Sequence, residues 1–481
     1  MSTRRDFLKT VSLATGGVAL GGVDLMASNA KKKKVVSTPT PEKVKIAYIG
    51  IGNRGEQIIN DFAKTGMVEV VALCDVDMGA PHTQKTIAKY PNAKQYRDFR
   101  KMFDEIGNEF EAIAVAVPDF AHFPICMLAV SEGKHVYVEK PMCRTFYEEE
   151  LLMEAAKKHP NVVTQVGNQG HSEANYFQFK AWKDAGIIKD VTAVTAHMNN
   201  SRRWHPWDTT EEPYASYKIK YPPAHALPKD MDWDTWLGTA AYHDYSPDYH
   251  LGQWRCWYDF GMGALGDWGA HLLDTVHEFL ELGLPYEVTL THAKGHNDYY
   301  FPYSSTILFR FPARKDMPPV DVTWYDGIDN LPPIPAGYGV QGLDPNIPVT
   351  NQGAIKTKLN PGKIIYSKEL TFKGGSHGSP LTIIPAEKAK EMADKLPEVP
   401  KSPSNHFQNF LLACMGKEKT RSPFEINGVL SQVFSLGVIA QRLNTQLFFD
   451  ARTKQFTNNN FANSLLVGTP PRKGWEEFYK L

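Results

Sequence analysis

Lys43-Val-Lys-Ile-Ala-Tyr-Ile-Gly50-Ile-Gly52-Asn53-Arg54-Gly55 is the stretch that decides the fold. Val44, Ile46, Ala47, Tyr48 and Ile49 read as a short buried parallel strand, and Glu56 to Phe62 read as a helix. Strand, glycine turn and helix in that order are what a diphosphate-binding site needs. Gly50 permits the tight turn, Gly52 lets the backbone approach phosphates, and Gly55 lets the helix pack on the strand with its first N–H groups facing the anion. Asn53 and Arg54, inside the turn, join the three glycines as candidate cofactor-binding residues. Spacing alone would also fit a glycine-rich loop with no ligand.

The next strand, Met67 to Cys74, ends at Asp75, 23 positions beyond Gly52. An acidic residue about 20 positions on is where such a fold holds the adenosine ribose. A carboxylate there repels a 2′-phosphate, so NAD is expected over NADP. Asp77 is close enough to compete for the role.

Alternation continues through helical Pro81–Lys89 and Asp98–Ile106, the apolar strand Glu111–Val117, and a helix from His122 through Glu132. Strands separated by helices imply right-handed crossovers and a parallel sheet. Loops at the carboxyl ends of such strands line the ligand crevice, which makes Pro118 and His122 cofactor-side candidates. His122 also reads as a helix-start residue facing solvent. His135-Val-Tyr-Val-Glu139-Lys140-Pro141 ends another strand, with Lys140 held extended before proline and able to polarise a reacting oxygen. After Val162–Gly167, Asn168 closes the crevice of the first domain.

Beyond a helix near Ala174–Gly186 and a strand at Val191–Met198, residues 199–255 are rich in aromatic and polar side chains. Arg203, Trp204, His205 and Arg255 are the substrate-side candidates, because apolar sugar faces stack on rings while hydroxyls take hydrogen bonds. The tract also carries Trp233, Trp236 and Trp254, and a large mixed core would use the same residues. In Asp259-Phe-Gly-Met-Gly-Ala-Leu-Gly266-Asp267-Trp-Gly-Ala-His271, a helical pattern continues to Leu280, and Asp267 and His271 share one face. An aspartate beside a histidine orients the ring and raises its basicity, so His271 is a candidate general base.

The amino terminus, Thr3-Arg4-Arg5-Asp6-Phe7-Leu8-Lys9 followed by an apolar glycine-rich stretch, resembles a twin-arginine export signal. Residues 1–30 are read as that signal and 31–42 as a solvated spacer, with periplasmic localisation and no stable membrane association after export. The 53 basic and 53 acidic residues cancel, which removes the general electrostatic case for a nucleic-acid partner. Five scattered cysteines make no disulfide framework and read as buried thiols. No H-E-x-x-H or Cys/His cluster points to a metal.

Together Gly50-x-Gly52-x-x-Gly55, Asp75, Glu139-Lys140-Pro141 and Asp267-x-x-x-His271 resemble the glucose-fructose oxidoreductase, inositol dehydrogenase and rhizopine-catabolism family, Gfo/Idh/MocA. The resemblance implies an α/β fold. A Rossmann domain with a doubly wound parallel sheet, residues 43–167, precedes an α/β domain with a large, mostly antiparallel open sheet, residues 168–481, that often forms dimers or tetramers. It implies a tightly held NAD(P) contacted also by Glu139 and Lys140, and a catalytic set of Lys140, Asp267 and His271 acting on a sugar or glycoside, with Asp267 and His271 also touching substrate. His271 would take the hydroxyl proton, Lys140 would polarise the oxygen, and Asp267 would orient His271 or bind the neighbouring hydroxyl. The alternative is a glycosidase resembling glycoside hydrolase family 109, acting by transient oxidation and elimination, although that family departs from E-K-P. A non-catalytic nucleotide sensor is the third class. Strands are expected at Ser305–Phe311, Val320–Tyr325 and Ile364–Phe372, helices at Ser404–Met415 and Glu425–Leu443, and a lid or oligomer arm at Leu331–Thr350.

Overall fold

The computed structural model describes residues 43–199, 221–250, 253–339 and 359–480. The proposed signal and spacer, the candidates Arg203, Trp204 and His205, and positions 340–350 of the proline-rich tract lie outside the described residues.

The first layer is a six-stranded, all-parallel sheet in the order β3-β2-β1-β4-β5-β6. Its strands are β1 (Val44–Ile49), β2 (Val68–Cys74), β3 (Lys94–Tyr96), β4 (Ala112–Val115), β5 (His135–Val138) and β6 (Thr164–Val166). The intervening helices are α1 (Arg54–Lys64), α2 (Pro81–Lys89), α3 (Phe99–Ile106), α4 (His122–Ser131) and α5 (Phe146–Lys158). β1 pairs with β2 on one side and β4 on the other, so the strand order reverses beside Gly50. A crevice opens at the carboxyl ends of the strands on either side of such a reversal. Alternate residues of the strands feed two cores. Ile46, Tyr48 and Tyr137 pack with Ile58, Ile59 and Phe62 of α1, while Ile49, Val115 and Val138 pack with α3, α4 and α5.

The second layer is a nine-stranded sheet in the order β13-β12-β11-β7-β10-β9-β8-β14-β15. It comprises β7 (Val191–Met198), β8 (Glu287–Lys294), β9 (Ser304–Phe311), β10 (Val320–Asp326), β11 (Gly362–Ser367), β12 (Thr371–Gly375), β13 (Thr382–Ile384), β14 (Gln446–Asp450) and β15 (Gln455–Phe456). All its pairings are antiparallel except β7 with β10. The fold class is therefore the one expected from the sequence. One detail differs: Ile364–Phe372 is not one strand but the hairpin β11–β12. Ser367 Oγ accepts from Leu370 N at 3.1 Å and donates to Leu370 O at 2.9 Å, which closes the turn over Lys368 and Glu369.

Helices α6 (Ala174–Asp184), α7 (Gly263–Leu272), α8 (Asp274–Phe279), α9 (His406–Cys414) and α10 (Phe424–Leu443) complete the elements that frame the crevice. The helical pattern expected to run to Leu280 breaks at Leu273, and the break turns the Asp274 carboxylate toward Gly170 and His171. α10 packs on α5, α7, β8 and β9 and so ties the two layers together. The first sheet is finished by distant chain. Phe410 and Leu411 of α9 cover one face, and Phe424, Trp475 and Phe478 cover the other. None of the five cysteines is in a disulfide, and four are buried. No helix among the described residues is long and apolar enough to cross a membrane.

Burial also sets an acid limit to stability. Desolvation lowers His197 and His277 from 6.5 to about 4 and His406 to about 3. Between those values and 6.5 the unfolded chain binds more protons than the native one, so stability is full above pH 6.5 and falls as pH drops. Each of these histidines withdraws roughly 2 kcal/mol by pH 5. Asp326, raised by burial from 3.8 to about 6, works in the opposite direction and offsets part of the loss. The urea midpoint is therefore expected to be lower at pH 5 than at pH 8; an equal or higher midpoint at pH 5 would mean these rings are not held neutral.

Candidate active site

A cleft of about 1000 Å³ runs from the glycine turn to α7. Gly50, at the end of β1, has φ +78°, and a Cβ there would sit 2.4 Å from the Ala116 carbonyl oxygen, so both the turn and the approach to β4 require glycine. A Cβ on Gly55 would lie 1.9 Å from the Gly50 carbonyl oxygen, which places α1 directly on the strand end. Gly52 is flanked differently from the expectation. The ring of His82, from the first turn of α2, covers its Cα, with Cδ2 2.0 Å from a Cβ position. Asp75 ends β2 in the cleft wall. Its Oδ2 accepts from Ile51 N at 2.9 Å and its Oδ1 from Asp77 N at 3.0 Å, which locks the turn to the neighbouring strand. A glycine cradle, a strand-end carboxylate and a cleft of this volume fit a dinucleotide.

Three ion pairs line the far half. Arg54 donates to Glu139 Oε1 from Nη2 at 2.9 Å, Arg255 Nη1 lies 2.8 Å from Asp119 Oδ1, and Lys140 Nζ lies 2.5 Å from Asp267 Oδ1. Lys140 also donates to the Asp267 carbonyl at 3.1 Å. The last two pairs join the first layer to the second. Asp119 Oδ2 additionally accepts from Met262 N at 3.1 Å, fixing the approach to α7, and the Arg255 guanidinium lies 4.2 Å over the Trp254 ring. Three cations thus face three carboxylates.

His271 is buried beside them. Burial, then the Lys140 and His377 charges, hold it well below its ordinary value of 6.5, with Asp267 pulling the other way. Of the two roles expected for Asp267, orienting this ring or binding the neighbouring hydroxyl, the geometry does not provide the first: its carboxylate reaches Lys140 and, at 3.9 Å, Arg255 Nε. Instead His377, from the turn between β12 and β13, stacks on His271 with centroids 3.8 Å apart and planes 23° from parallel.

The structure brings Gly50, Gly52, Asn53, Arg54, Asp75, Pro118, Glu139, Lys140, Arg255, Asp267 and His271 to the cleft wall. Gly55 lies behind the turn. Two candidates are corrected. His122 does not reach the cleft: its Nδ1 and Nε2 face the Pro141 and Val117 carbonyls at 2.9 and 3.0 Å, so it braces the two loops from beneath. Asn168 is buried against Asn427 of α10 and is committed there. Trp233 and Trp236 stack with centroids 4.3 Å apart beside Phe120 and Phe260, and Trp233 is core while Trp236 also borders the cleft. Sequence reasoning missed Asp119, His82 and His377. Asp119 directly follows Pro118 at a strand end and carried a readable signal. His377 carried none.

Residues 44–167 match the oxidoreductase family Gfo/Idh/MocA in its NAD-binding Rossmann fold, and residues 215–309 match the C-terminal alpha/beta domain of the same family. Over these two segments the chain is similar to that family. Among curated relatives of this chain, a glycosyl hydrolase family 109 protein of Shewanella pealeana is 26% identical over 236 residues, 42% of this chain and 50% of that protein. An inositol 2-dehydrogenase of Salmonella paratyphi B is 27% identical over 173 residues, 36% of this chain and 50% of that protein. The chain spans about half the length of these relatives. The WlbA dehydrogenase of Bordetella pertussis, solved in complex with NADH and UDP-GlcNAcA, superposes with a TM-score of 0.53 at 13% identity over 85% of this chain and 99% of that one, a likeness of fold.

Proposed function

We propose that this chain is an exported, NAD-dependent oxidoreductase that oxidises a hydroxyl, or reduces the corresponding keto group, of a sugar or glycoside. The observation that carries the reading is the meeting of Lys140, Asp267 and a neutral His271 in one cleft with the glycine turn. A base must be unprotonated to work, and His271 is held so by its surroundings. It takes the hydroxyl proton. Lys140 has three N–H donors, two of them committed to Asp267, and offers the third to the reacting oxygen. Its charge stabilises the alkoxide as it develops. Asp267 holds the lysine in place and balances it. When bound, the dinucleotide supplies the hydride acceptor. The turn and Asp75 hold the adenosine diphosphate end, and the Asp75 carboxylate disfavours a 2′-phosphate. Tight retention of NAD, removal of residues 1–30, and assembly as a dimer or tetramer through the second sheet belong to the same proposal.

A second reading is favoured by the relatives named glycosyl hydrolase family 109 proteins. Oxidation would then be transient, the neighbouring C–H would become acidic, and the aglycone would be eliminated with no net redox change.

Mass spectrometry of the purified mature protein, native and after incubation with free sugars, glucosides and galactosides, tests both. We expect a bound NAD, a chain lacking about its first 30 residues, and a product lighter by two hydrogens. Released aglycone without net redox change selects the second reading. An absence of both bound dinucleotide and turnover overturns the two together.

A further inference from the structure

A buried general base has to be held in one plane, and among the described residues no carboxylate does this for His271. Its Nδ1 is buried without a hydrogen-bond partner, and Asp267 is engaged with Lys140. What lies against the ring is His377, face to face, with Trp268 meeting both imidazoles edge-on at 6.1 and 5.4 Å.

The turn carrying His377 is built to deliver it. His377 has φ +51° and donates its backbone N–H to the His271 carbonyl at 3.3 Å. Its Nδ1 is 3.0 Å from Ser376 Oγ, which fixes the rotation of the ring. The Gly378 carbonyl accepts from Asn175 N at 2.9 Å at the start of α6, and Asn175 Oδ1 in turn receives the buried Lys363 Nζ and Thr275 Oγ1 at 3.2 and 3.0 Å. Main chain and a buried polar network therefore anchor a side chain whose outer edge is exposed at the cleft rim.

We propose that His377 is the positioning residue for His271, its stacked imidazole setting the plane of the base in place of a hydrogen-bonded carboxylate. The inference rests on the reading of His271 as the general base. A neutral ring face accepts a neighbouring cation, so the stack tolerates the proton that His271 takes up. A carboxylate would instead hold that proton and slow its return. The arrangement works only while His377 is itself neutral, because two stacked imidazolium ions repel. The other charges facing the pair are Lys140 from the loop after β5, Arg54 from α1, Asp267 from α7 and Asp274 from α8, with Glu173 packed beneath Gly378. Burial and Lys140 lower His377 from its ordinary value, in keeping with a neutral partner.

Three variants of the holoenzyme test this: His377→Ala, His377→Gln and His377→Phe. Alanine removes the stack, and we expect kcat to fall about 10- to 100-fold with KM within about threefold, as misplacement of a base by a fraction of an ångström does. Glutamine, which offers hydrogen bonds but no ring, is expected to behave like alanine. Phenylalanine restores a ring face and recovers most of the loss. The independent readout is NMR of 13Cε1-labelled histidine, in which the His271 resonance titrates at higher pH in His377→Ala than in the wild type, because losing the covering ring admits water and burial, the largest influence on His271, outweighs the ring-face attraction. Equal losses in all three variants, or no loss in any, overturn the inference. Should the wild type show no turnover on any sugar, the oxidoreductase reading fails, and the titration still decides: a His271 resonance unmoved by the loss of His377 overturns the positioning role.

Discussion

Replacing Lys140 by methionine is expected to lower kcat about 100- to 1000-fold, the range seen when one donor to a developing oxyanion is removed. Methionine keeps the unbranched stem and removes the charge and its donors. The expected loss is in kcat, because Lys140 strengthens its hold on the reacting oxygen as negative charge develops there. Bound dinucleotide, read by its absorbance after gel filtration, should stay within a few-fold of the wild type, since Gly50, Asp75 and Arg54 are untouched. The substitution removes the cation 2.5 Å from Asp267 Oδ1 and leaves Arg255 Nε at 3.9 Å. Removing one partner of a buried ion pair can destabilise the fold by several kcal/mol. Lys140→Arg, which keeps the charge but not the point-donor geometry, separates the two effects. If Lys140→Arg is folded, binds NAD and turns over at the wild-type rate, the lysine is a structural counter-ion and the proposed chemistry loses its electrophile.

Gly55→Ala is expected to have the second large effect, on binding and stability together. Gly55 does not have the positive φ of Gly50; the restriction is space. Its new Cβ would meet the Gly50 carbonyl oxygen at 1.9 Å, and that oxygen belongs to the backbone of the turn itself. Relief requires α1 to move off β1 and carry its first N–H groups away from the place where a diphosphate would lie. Overpacking of this kind costs about 1–3 kcal/mol in ordinary cores. NAD affinity should fall at least tenfold. Gly66→Ala, which carries the backbone strain of a φ of +71° but meets nothing within 4 Å, provides the comparison for strain without a clash at the turn. Equal NAD affinity in the two variants would show that the helix start plays no part in holding the cofactor.

The parts of the molecule that sequence made legible are those whose determinants are local. β1, the glycine turn and α1 are adjacent in the chain, and the strand-end positions of Asp75, Pro118 and Lys140 follow once the sheet is known to be parallel. Local periodicity found α2 to the residue, but it overran Leu273 and fused β11 with β12, because a side-chain bond from Ser367 and a change of helix axis leave no periodic trace. The site was legible as a set of residues more than as a set of contacts. Asp267 and His271 share a helix face, yet Asp267 chose Lys140 across the cleft over its neighbour four positions on. His122 and Asn168 sit where loop residues should reach a ligand, and tertiary hydrogen bonds with Pro141 and Asn427 draw them behind the wall. His377 depends on a turn between two strands of the other sheet, so no stretch of chain near His271 announces it.

The first sheet is laid down by residue 166, but its covering is not. Phe410 and Leu411 wait on one face and Trp475 and Phe478 on the other, at the very end of the described chain. During synthesis the parallel sheet therefore emerges from the ribosome with both faces lacking part of their cover, one until Phe410 and Leu411 follow and the other until Trp475 and Phe478 do. Packing of the first sheet therefore draws on chain made long after its own last strand. Truncating the last residues would strike the end of the molecule that was made first.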